Sequence, residues 1–190
     1  MIKKLFFCLA LITTLPLAAY EIDDVTVPDA CQLEANQPKL QLQGAGIRTK
    51  FFSDIYVGAF YASHSIKTPA EAVSDPGPKR MWVHMVYDDL TLEKFRQAWH
   101  DGIHANNDDS VVAENQKNID KLMKSFNADM HKGDILTIDY LPGTGTRVTI
   151  NKKVTETIPG DTFYTLILNA WMGENPPSEK FQKALLELNS

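Results

Sequence analysis

The sequence predicts an α+β domain in which helices pack on one face of an antiparallel sheet. Segments of alternating apolar and polar residues, typical of strands, occur between residues 39 and 87 and again between residues 135 and 157. Each set of strands is followed by two segments with apolar residues at steps of three and four, which is typical of amphipathic helices. Strands and helices grouped in this order favour an α+β architecture over an alternating α/β one.

The first nineteen residues have the three parts of a secretory signal peptide. Lys3 and Lys4 form the positive start, residues 5–17 are apolar, and Ala18 and Ala19 form a small-residue exit. The apolar run is shorter than the ~20 residues that a membrane-spanning helix requires. We therefore expect cleavage after Ala18 or Ala19 and a periplasmic or secreted mature protein. An uncleaved anchor or a buried N-terminal helix is the alternative interpretation.

Cleavage would change both the cysteine content and the charge of the chain. Removing Cys8 leaves Cys31 as the single cysteine, so the mature chain can form no intrachain disulfide. Removing two lysines lowers the formal net charge from −5 to −7. An acidic chain without a basic stripe does not suit nucleic acid or an anionic membrane as a partner. No second apolar segment is long enough to form a transmembrane helix, and nothing in the sequence predicts an oligomeric state.

The remaining chain is the size of a single domain. Residues 20–38 are acidic and contain two prolines, so we expect an N-terminal lead-in to a domain spanning residues 39–190. Gly44-Ala45-Gly46 is expected to interrupt the first strand, which begins at Lys39 and resumes at Ile47. Residues 55–62, rich in aromatic and β-branched side chains, predict a central strand.

The helices are predicted from caps and apolar periodicity. Thr91 is the expected N-cap of a helix with Phe95, Trp99 and Ile103 on one face. A following helix is expected to carry an inner row of apolar residues at Ile119, Leu122, Met123, Phe126 and Met130. The other predicted segments are a helix at 69–73, strands at 80–87, 135–141, 147–150 and 153–157, a buried helix at 163–172, and a last helix around 181–188.

The motifs of common enzymes and cofactor sites are weak or missing. His100 and His104 have the spacing of two metal ligands on a helix, but a third ligand is missing. The Gly143–Thr146 stretch lacks the lysine and helix of a phosphate loop, so a hairpin turn explains it better. The chain contains no Gly-x-Ser-x-Gly sequence. We therefore predict neither a metal nor a cofactor.

Arg48 is the one residue that suggests a binding site. It follows two glycines in a predicted strand and precedes a series of aromatic residues. Such an arginine is either a residue at the rim of the sheet or a cation directed into an apolar cleft. In a cleft, its planar guanidinium would suit a carboxylate or phenolate oxygen, and desolvation would strengthen the attraction.

The motif around Arg48 resembles the opening of the bacterial chalcone isomerase-like family. It reads Leu40-x-Leu42-x-Gly44-x-Gly46-x-Arg48-x-Lys50, followed by Ile55-Tyr56-Val57-x-Ala59-x-Tyr61. Later stretches are similar to the family's middle strands and closing helices: Lys132-Gly133-Asp134-x-Leu136-x-Ile138-x-Tyr140-x-Pro142-Gly143, and Ile158-Pro159-Gly160-Asp161-x-Phe163 through Trp171-Met172-Gly173-x-x-Pro176. The similarity extends from residue 40 to residue 188.

The resemblance implies an open-faced β-sandwich, in which a ligand cleft lies between a curved antiparallel sheet and helices on one side. In plant members that are true isomerases, the arginine of the Gly-x-Gly-x-Arg stretch stabilises a phenolate and a developing enolate during an intramolecular cyclisation. In plant relatives that bind fatty acids, a similar arginine and a tyrosine hold the carboxylate. Arg48 corresponds to this arginine.

Three other isomerase positions differ in this sequence. Tyr56 stands where the isomerases have a threonine, Phe95 where they have a tyrosine, and Gly102 where they have an asparagine. The isomerase tyrosine organises water and hydrogen bonds at the reacting ketone, which a phenylalanine cannot do. The resemblance therefore implies the apolar walls and the arginine, without the proton-handling part of the site.

The sequence thus predicts a non-catalytic protein that binds an apolar carboxylic acid, such as a fatty acid. Arg48 is expected to hold the carboxylate, and Tyr56 or Tyr61 to donate a second hydrogen bond. Phe95, Trp99 and Phe163 are expected to line the acyl chain. The alternatives are an isomerase of the intramolecular lyase type, with Arg48 as its catalytic residue, and an envelope accessory protein without a ligand.

Overall fold

The computed structural model describes residues 19–189, and the predicted signal peptide lies outside them apart from Ala19. The strands are β1 (Ala19–Ile22), β2 (Val25–Pro28), β3 (Ala30–Gln32), β4 (Lys39–Lys50), β5 (Ser53–Ala62), β6 (Lys79–Met85), β7 (Asp89–Leu90), β8 (Met130–His131), β9 (Ile135–Leu141), β10 (Gly145–Ile150) and β11 (Lys153–Pro159). The helices are α1 (Pro69–Ser74), α2 (Leu92–Ala105), α3 (Asp109–Glu114), α4 (Gln116–Ser125), α5 (Phe163–Met172) and α6 (Glu179–Ala184), followed by a 3₁₀ turn (Glu187–Asn189).

Seven strands form one antiparallel sheet in the order β11-β10-β9-β6-β5-β4-β3. Two small sheets, β1–β2 and β7–β8, accompany it. The helices pack on one face of the seven-stranded sheet, so the predicted α+β arrangement is confirmed. Within the described residues, no helix has the length and apolar character needed to cross a bilayer.

The face of the sheet that carries the helices, here called the helix face, contains the larger core. Side chains alternate between the two faces along each strand. Phe60, Met81 and Ile138 therefore point from neighbouring strands into one apolar cluster with residues of the helices. Trp99 of α2 and Leu166 of α5 belong to this cluster, and α5 is buried on almost every side, as its composition predicts.

The opposite face, here called the outer face, is covered by the start of the chain. Val25, Val27 and Leu33 pack against Leu42 and Trp82 of the sheet. Residues 20–38, expected from the sequence to be a lead-in, form three strands, and β3 is an edge strand of the main sheet. Val25, Val27 and Leu33 are buried because they pack against apolar side chains on the outer face of the sheet.

Cys31 lies in β3, half-buried beside this outer-face cluster. Burial raises the pKa of its thiol to about 11, although the nearby Arg80 opposes the shift. The thiol is therefore protonated at neutral pH and is a poor nucleophile.

Strand β4 runs without interruption through its glycines, contrary to the expected break at residues 44–46. The register shifts by one residue between Leu42 and Gly44, so a β-bulge takes the place of the break. Side chains at Gly44 and Gly46 would point to the helix face, where α6 lies directly on the strand. The glycines therefore allow the close approach of a helix and do not end the strand.

Two helices were predicted after β7. The first begins where the sequence predicts, and the second differs at its end. Thr91 caps α2 as expected, and its hydroxyl accepts a hydrogen bond from the backbone N–H of Lys94. The second helix, expected to reach Met130, is divided into α3 and α4 and ends at Ser125. Phe126 has an extended backbone, and Met130 pairs with Leu90 in the small β7–β8 sheet. Both side chains are still buried, so the apolar pattern predicted burial correctly but not the helix end.

Candidate functional site

The candidate site lies on the helix face, at the end of the sheet where β4 turns into β5. Arg48 and Tyr56 are direct partners across the antiparallel pair of strands. Directly opposed residues point to the same face with their Cβ atoms about 5 Å apart. Pairing across two strands therefore places the guanidinium and the phenol side by side, although they are eight residues apart in the chain.

Arg48 is half-buried and holds its side chain against its own strand. Its Nη1 donates a hydrogen bond to the backbone oxygen of Thr49. Among residues 19–189, the structure gives Arg48 no ion pair with a carboxylate. The guanidinium thus has N–H groups left to donate to an anion.

Tyr56 has a donor partner but no acceptor within the described chain. Its hydroxyl oxygen accepts a hydrogen bond from the indole Nε1 of Trp171 at 2.9 Å. Burial raises the pKa of Tyr56 to about 12, while the Trp171 hydrogen bond and the charge of Arg48 act in the opposite direction. The hydroxyl therefore keeps its proton at neutral pH and can donate it to an acceptor placed beside Arg48.

A row of aromatic rings extends from Tyr56 along the helix face. Trp171 of α5 contacts Trp99 of α2 edge to face, with their ring centroids 5.0 Å apart. Trp99 in turn packs against Phe126 at 5.5 Å, and Phe126 packs against Phe95 at 4.9 Å. We call these five residues, Tyr56, Trp171, Trp99, Phe126 and Phe95, the aromatic row. It gives the site an apolar wall with a polar group only at the Arg48 end.

The structure brings together four of the six predicted ligand-binding residues: Arg48, Tyr56, Trp99 and Phe95. Phe163 shares their apolar cluster but lies at the opposite end of α5 from Trp171. Eight residues of helix correspond to about 12 Å. Phe163 is therefore a core residue remote from Arg48.

Tyr61 lies on the other face of the sheet. It is five residues from Tyr56 on the same strand, so its side chain points the opposite way and joins the outer-face cluster. Its hydroxyl donates a hydrogen bond to the backbone oxygen of Pro28 at 2.7 Å. The prediction that Tyr61 could serve beside Arg48 does not agree with this geometry, because the sheet separates the two side chains.

Sequence reasoning missed Trp171 and Phe181 as parts of the site. Trp171 supplies the hydrogen bond to Tyr56, and Phe181 of α6 packs edge to face on the Tyr56 ring at 5.6 Å. Both appeared in the sequence as apolar residues of the closing helices. A Trp near the end of a mostly buried helix was the available signal, because a buried indole N–H needs an acceptor.

Two of the three positions named above, Phe95 and Gly102, carry no polar side chain. Phe95 is buried in the aromatic row. A Cβ at Gly102 would lie 3.3 Å from the Cβ of Ala170, so this position forms the close contact between α2 and α5. Neither position offers a proton donor to a ligand beside Arg48.

Next to Tyr56, the helix face carries the contacting rings of Trp171, Trp99 and Phe181. Two open surface depressions lie elsewhere: one of about 430 Å³ next to α1, lined by Ile66 and Asp75, and one of about 520 Å³ between α2 and α4, lined by Arg96 and Met123. The rings of His100 and His104 stack at 4.1 Å, and the described residues contain no cluster of three metal-ligating side chains. The candidate site is thus a cationic end, formed by Arg48, next to an apolar wall formed by the aromatic row.

Comparison with known proteins identifies the fold. The sequence matches the family described as chalcone isomerase-like over residues 19–187. The structure is similar to that of a fatty-acid binding protein from Arabidopsis thaliana, with a TM-score of 0.67 and 14% sequence identity, over 87% of this chain and 93% of that chain. At this identity the similarity shows the fold alone. No curated protein matches the sequence. The resemblance and the fold predicted from the sequence are both confirmed.

Proposed function

Because this chain belongs to the chalcone isomerase-like family, we propose that it binds an apolar carboxylic acid, such as a fatty acid, without transforming it. The observation that carries this proposal is the pairing of Arg48 with Tyr56 at one end of the aromatic row. The structural neighbour from Arabidopsis thaliana is a fatty-acid binding protein, which agrees with this chemistry.

Arg48 and Tyr56 together match the hydrogen-bonding needs of a carboxylate. Arg48 supplies a permanent charge and two or more N–H donors, and Tyr56 supplies one O–H donor. A carboxylate accepts from both without releasing a proton, because the raised pKa of Tyr56 keeps its hydroxyl neutral. A neutral apolar molecule would gain nothing from either group, so an acid is preferred.

The acyl chain would take its place along the aromatic row. The rings of Trp171 and Trp99 pack against each other in the structure, so the chain must displace Trp171 from Tyr56 in order to enter. Breaking that hydrogen bond, which leaves the indole N–H without a partner, costs about 1–3 kcal/mol. Losing the ring contact with Trp99 costs about 0.5–1.5 kcal/mol more. Burial of each methylene of the acid contributes about 0.8 kcal/mol, so a chain of several carbons more than offsets this cost.

The absence of catalysis is proposed from Phe95. An intramolecular cyclisation needs a group that organises water and proton transfer at the reacting ketone. Phe95 occupies the corresponding position within the aromatic row and offers only a ring. An assay with a 2′-hydroxychalcone should show no cyclisation above the spontaneous rate. A clear enzymatic rate that is lost on replacing Arg48 would overturn the non-catalytic part of the proposal.

We place this function outside the cytoplasm, in the periplasm or in the secreted fraction. The two lysines, the apolar residues 5–17 and the Ala18-Ala19 exit support this proposal, and the family match begins at residue 19. N-terminal sequencing of the protein recovered from the periplasm should begin at Ala19 or Tyr20. Recovery of the intact N-terminus from the cytoplasm would contradict the proposal.

The binding site can be tested with three single variants and a fluorescent fatty acid. Arg48→Ala should weaken binding by about tenfold or more, since a hydrogen bond to a charged group contributes 1.5–3 kcal/mol. Tyr56→Phe should weaken it by about threefold to tenfold through the loss of one neutral hydrogen bond. Lys50→Ala, two residues from Arg48 on the same hairpin, is the matched control and should leave the affinity unchanged.

Thermal unfolding separates a binding role of Arg48 from a structural one. Arg48 is half-buried and bonds only to the next residue's carbonyl, so Arg48→Ala should melt close to the wild type. A large loss of stability would identify Arg48 as a structural residue. Equal loss of binding in Lys50→Ala and Arg48→Ala would show that general positive charge, and not the Arg48–Tyr56 pair, attracts the acid.

The closed aromatic row also favours a second candidate function, an accessory protein of the envelope that holds no ligand. Under this alternative, Trp171 and Trp99 fill the space that a ligand occupies in a binding protein. Native mass spectrometry after mild purification distinguishes the two. Bound lipid, or saturable uptake of a labelled fatty acid, supports the binding protein; the absence of both supports the accessory protein.

A further inference from the structure

The turn between β4 and β5 exposes two consecutive phenylalanines. Phe51 is 88% exposed and Phe52 is fully exposed, although each has a large apolar ring. They form the two-residue connection between Lys50 and Ser53, which pair at the ends of the two longest strands. We call the residues from Arg48 to Ser53 the hairpin tip.

Folding does not account for phenylalanine at these two positions. Phe51 has a φ of 56°, a left-handed conformation that bulky side chains rarely adopt. Among the described residues, two other two-residue hairpin turns have positive φ, Asp23-Asp24 between β1 and β2 and Asn151-Lys152 between β10 and β11, and both use polar residues. The three-residue turn between β9 and β10 uses Gly143. Turn chemistry favours such polar residues, so the phenylalanines require another explanation.

The surroundings of the two rings are rigid and carry cations. The hydroxyl of Thr49 donates a hydrogen bond to the carboxylate of Asp54 at 2.6 Å, which ties the two strands together directly behind the turn. Lys50 and Arg48 flank the rings on the β4 side. The partly exposed Tyr87 is held close by, because its backbone N–H donates to the oxygen of Ile55 at 3.1 Å.

The shape and charge of the hairpin tip suit the surface of a lipid bilayer better than a protein partner. A two-residue turn is a convex point and presents far less area than the ~800 Å² per partner of a stable protein interface. Aromatic side chains are favoured at the boundary between headgroups and acyl chains, and Lys and Arg just behind them can reach the phosphates. The overall acidic charge of the chain disfavours an anionic surface and leaves a zwitterionic one.

We propose that the hairpin tip docks this protein on zwitterionic phospholipid bilayers by inserting Phe51 and Phe52 into the interface. The proposal does not depend on the acid-binding function. It would place Arg48 within the headgroup layer, so an acid dissolved in the bilayer would meet the guanidinium without crossing water.

Vesicle co-sedimentation of the full chain tests the contribution of the two rings. The Phe51→Gly/Phe52→Asn double variant puts glycine at the turn position with positive φ and a polar residue after it, so it should fold at least as well as the wild type. With phosphatidylcholine vesicles, its partition coefficient should fall by about tenfold or more, because two aromatic rings no longer enter the interface. An unchanged partition coefficient overturns the proposal.

A local probe is needed as well, because the apolar residues 5–17 could themselves bind lipid if they are retained. In Phe52→Trp, brominated phosphatidylcholine should quench the new tryptophan and shift its emission to shorter wavelength. Thr144→Trp is the matched control: Thr144 is exposed in the β9–β10 turn, at the opposite end of the sheet, and its tryptophan should not be quenched. Equal quenching of both, or of neither, contradicts the docking geometry.

Two further results would assign the rings to a protein partner. If sedimentation velocity in the absence of vesicles shows the wild type as a dimer and the double variant as a monomer, the occupant is a second copy of this chain. If wild type and double variant bind vesicles equally but only the wild type forms a stable complex with another purified envelope protein, the occupant is that protein. Either result overturns membrane docking.

Discussion

Lys79 shows at the scale of a single residue how a cation is accommodated in this core. It is 2% exposed, and its Nζ donates hydrogen bonds to the backbone oxygens of Ala72 and Asp75 at the end of α1. The rings of Tyr140 and Tyr164 lie 5.5 and 5.7 Å from the ammonium. These contacts satisfy the last carbonyls of a short helix, which otherwise lack partners.

Lys79 should make the stability of the protein rise with pH above neutrality. Burial lowers its pKa from 10.5 to about 8, and the nearby Asp75 only partly opposes this. Between these two pH values the unfolded chain holds a proton that the folded chain has released, so the free energy of unfolding increases with pH. Relative to Lys79→Met, the wild type should gain up to about 3 kcal/mol between pH 7 and pH 10. Urea unfolding at several pH values measures this difference.

The comparison with Lys79→Met is necessary because other groups titrate in the same range. Burial raises the pKa of the Cys31 thiol from 9.0 to about 11, so this group lowers stability as the pH rises above 9. That contribution is present in both proteins and cancels in their difference. A difference that stays constant with pH would mean that Lys79 remains protonated in the fold.

At the scale of single residues, the sequence indicated candidate functional side chains only where a residue type is unusual among the residues around it. Arg48 was proposed because a cation stands beside glycines and aromatic residues in a strand, and Tyr56 because it is one of the aromatic residues that follow. Lys79 was not found, since a lysine before a strand is ordinarily exposed. Its burial depends on α1 and on two tyrosines that are distant in the chain, and no local pattern encodes such contacts.

At the scale of elements, α6 and strand β4 are fitted to each other. A Cβ at Gly44 would overlap the backbone oxygen of Ala184, and one at Gly46 would lie 2.7 Å from the Ala184 side chain. Gly58 on the next strand leaves room for the ring of Phe181 in the same way. These glycines let a helix rest on the backbone of the sheet, and Phe181 reaches Tyr56 as a result.

Gly44→Ala should therefore displace α6 and destabilise the protein. The new methyl group meets backbone atoms, which cannot rotate away as a side chain can. We expect a loss of about 2–4 kcal/mol, the upper part of the range for overpacked sites. Denaturant unfolding measures the loss, and tyrosine and tryptophan fluorescence reports the displaced Phe181 and its neighbours.

Gly102→Ala provides the matched control for this prediction. Its Cβ would lie 3.3 Å from the Cβ of Ala170, and alanine has the higher helix propensity in α2. We expect a change of about 1 kcal/mol or less in either direction. If Gly44→Ala lost no more stability than Gly102→Ala, the close contact between α6 and β4 would be refuted.

The sequence predicted helices and strands correctly where the apolar spacing is regular over many residues. It failed where the backbone geometry depends on contacts with distant segments. α1, α2, α5 and the three strands after residue 135 lie close to the predicted positions because their apolar spacing is regular. The glycines of β4 look like a break when only propensity is considered, and the bulge that keeps the strand continuous depends on its partner strand. The end of α4 depends likewise on the pairing of Met130 with Leu90.

On the scale of the whole molecule, the sequence predicted one covered face of the sheet, while the structure covers both. The outer face is closed by residues 20–38, whose apolar side chains are too few and too widely spaced to reveal their role. A charged side chain connects this N-terminal segment to the main sheet. Arg147 of β10 donates to the backbone oxygen of Leu33 and to the carboxylate of Glu34, more than a hundred residues away in the chain.

The buried carboxylate of Asp139 holds this arrangement in place. It is fully buried on the outer face and accepts two hydrogen bonds from Arg80, at 2.6 and 2.8 Å, and two from Arg147, at 3.1 and 3.4 Å. Arg80, Asp139 and Arg147 stand side by side on β6, β9 and β10. One carboxylate is thus the common partner of two guanidinium groups beneath the N-terminal cover.

Asp139→Asn should destabilise the fold and loosen the N-terminal cover together. Removing the charge leaves Arg80 and Arg147 partly buried without their common partner, which costs about 3–5 kcal/mol. Glu34→Gln is the matched control: Glu34 is a more exposed partner of the same Arg147, and an ion pair of this kind contributes about 1 kcal/mol or less. In hydrogen exchange, Asp139→Asn should also lose protection at β3, since Arg147 no longer has a fixed position from which to hold Leu33. Wild-type stability in Asp139→Asn, or an equal loss in Glu34→Gln, would mean that apolar contacts of Val25, Val27 and Leu33 hold the cover without the carboxylate.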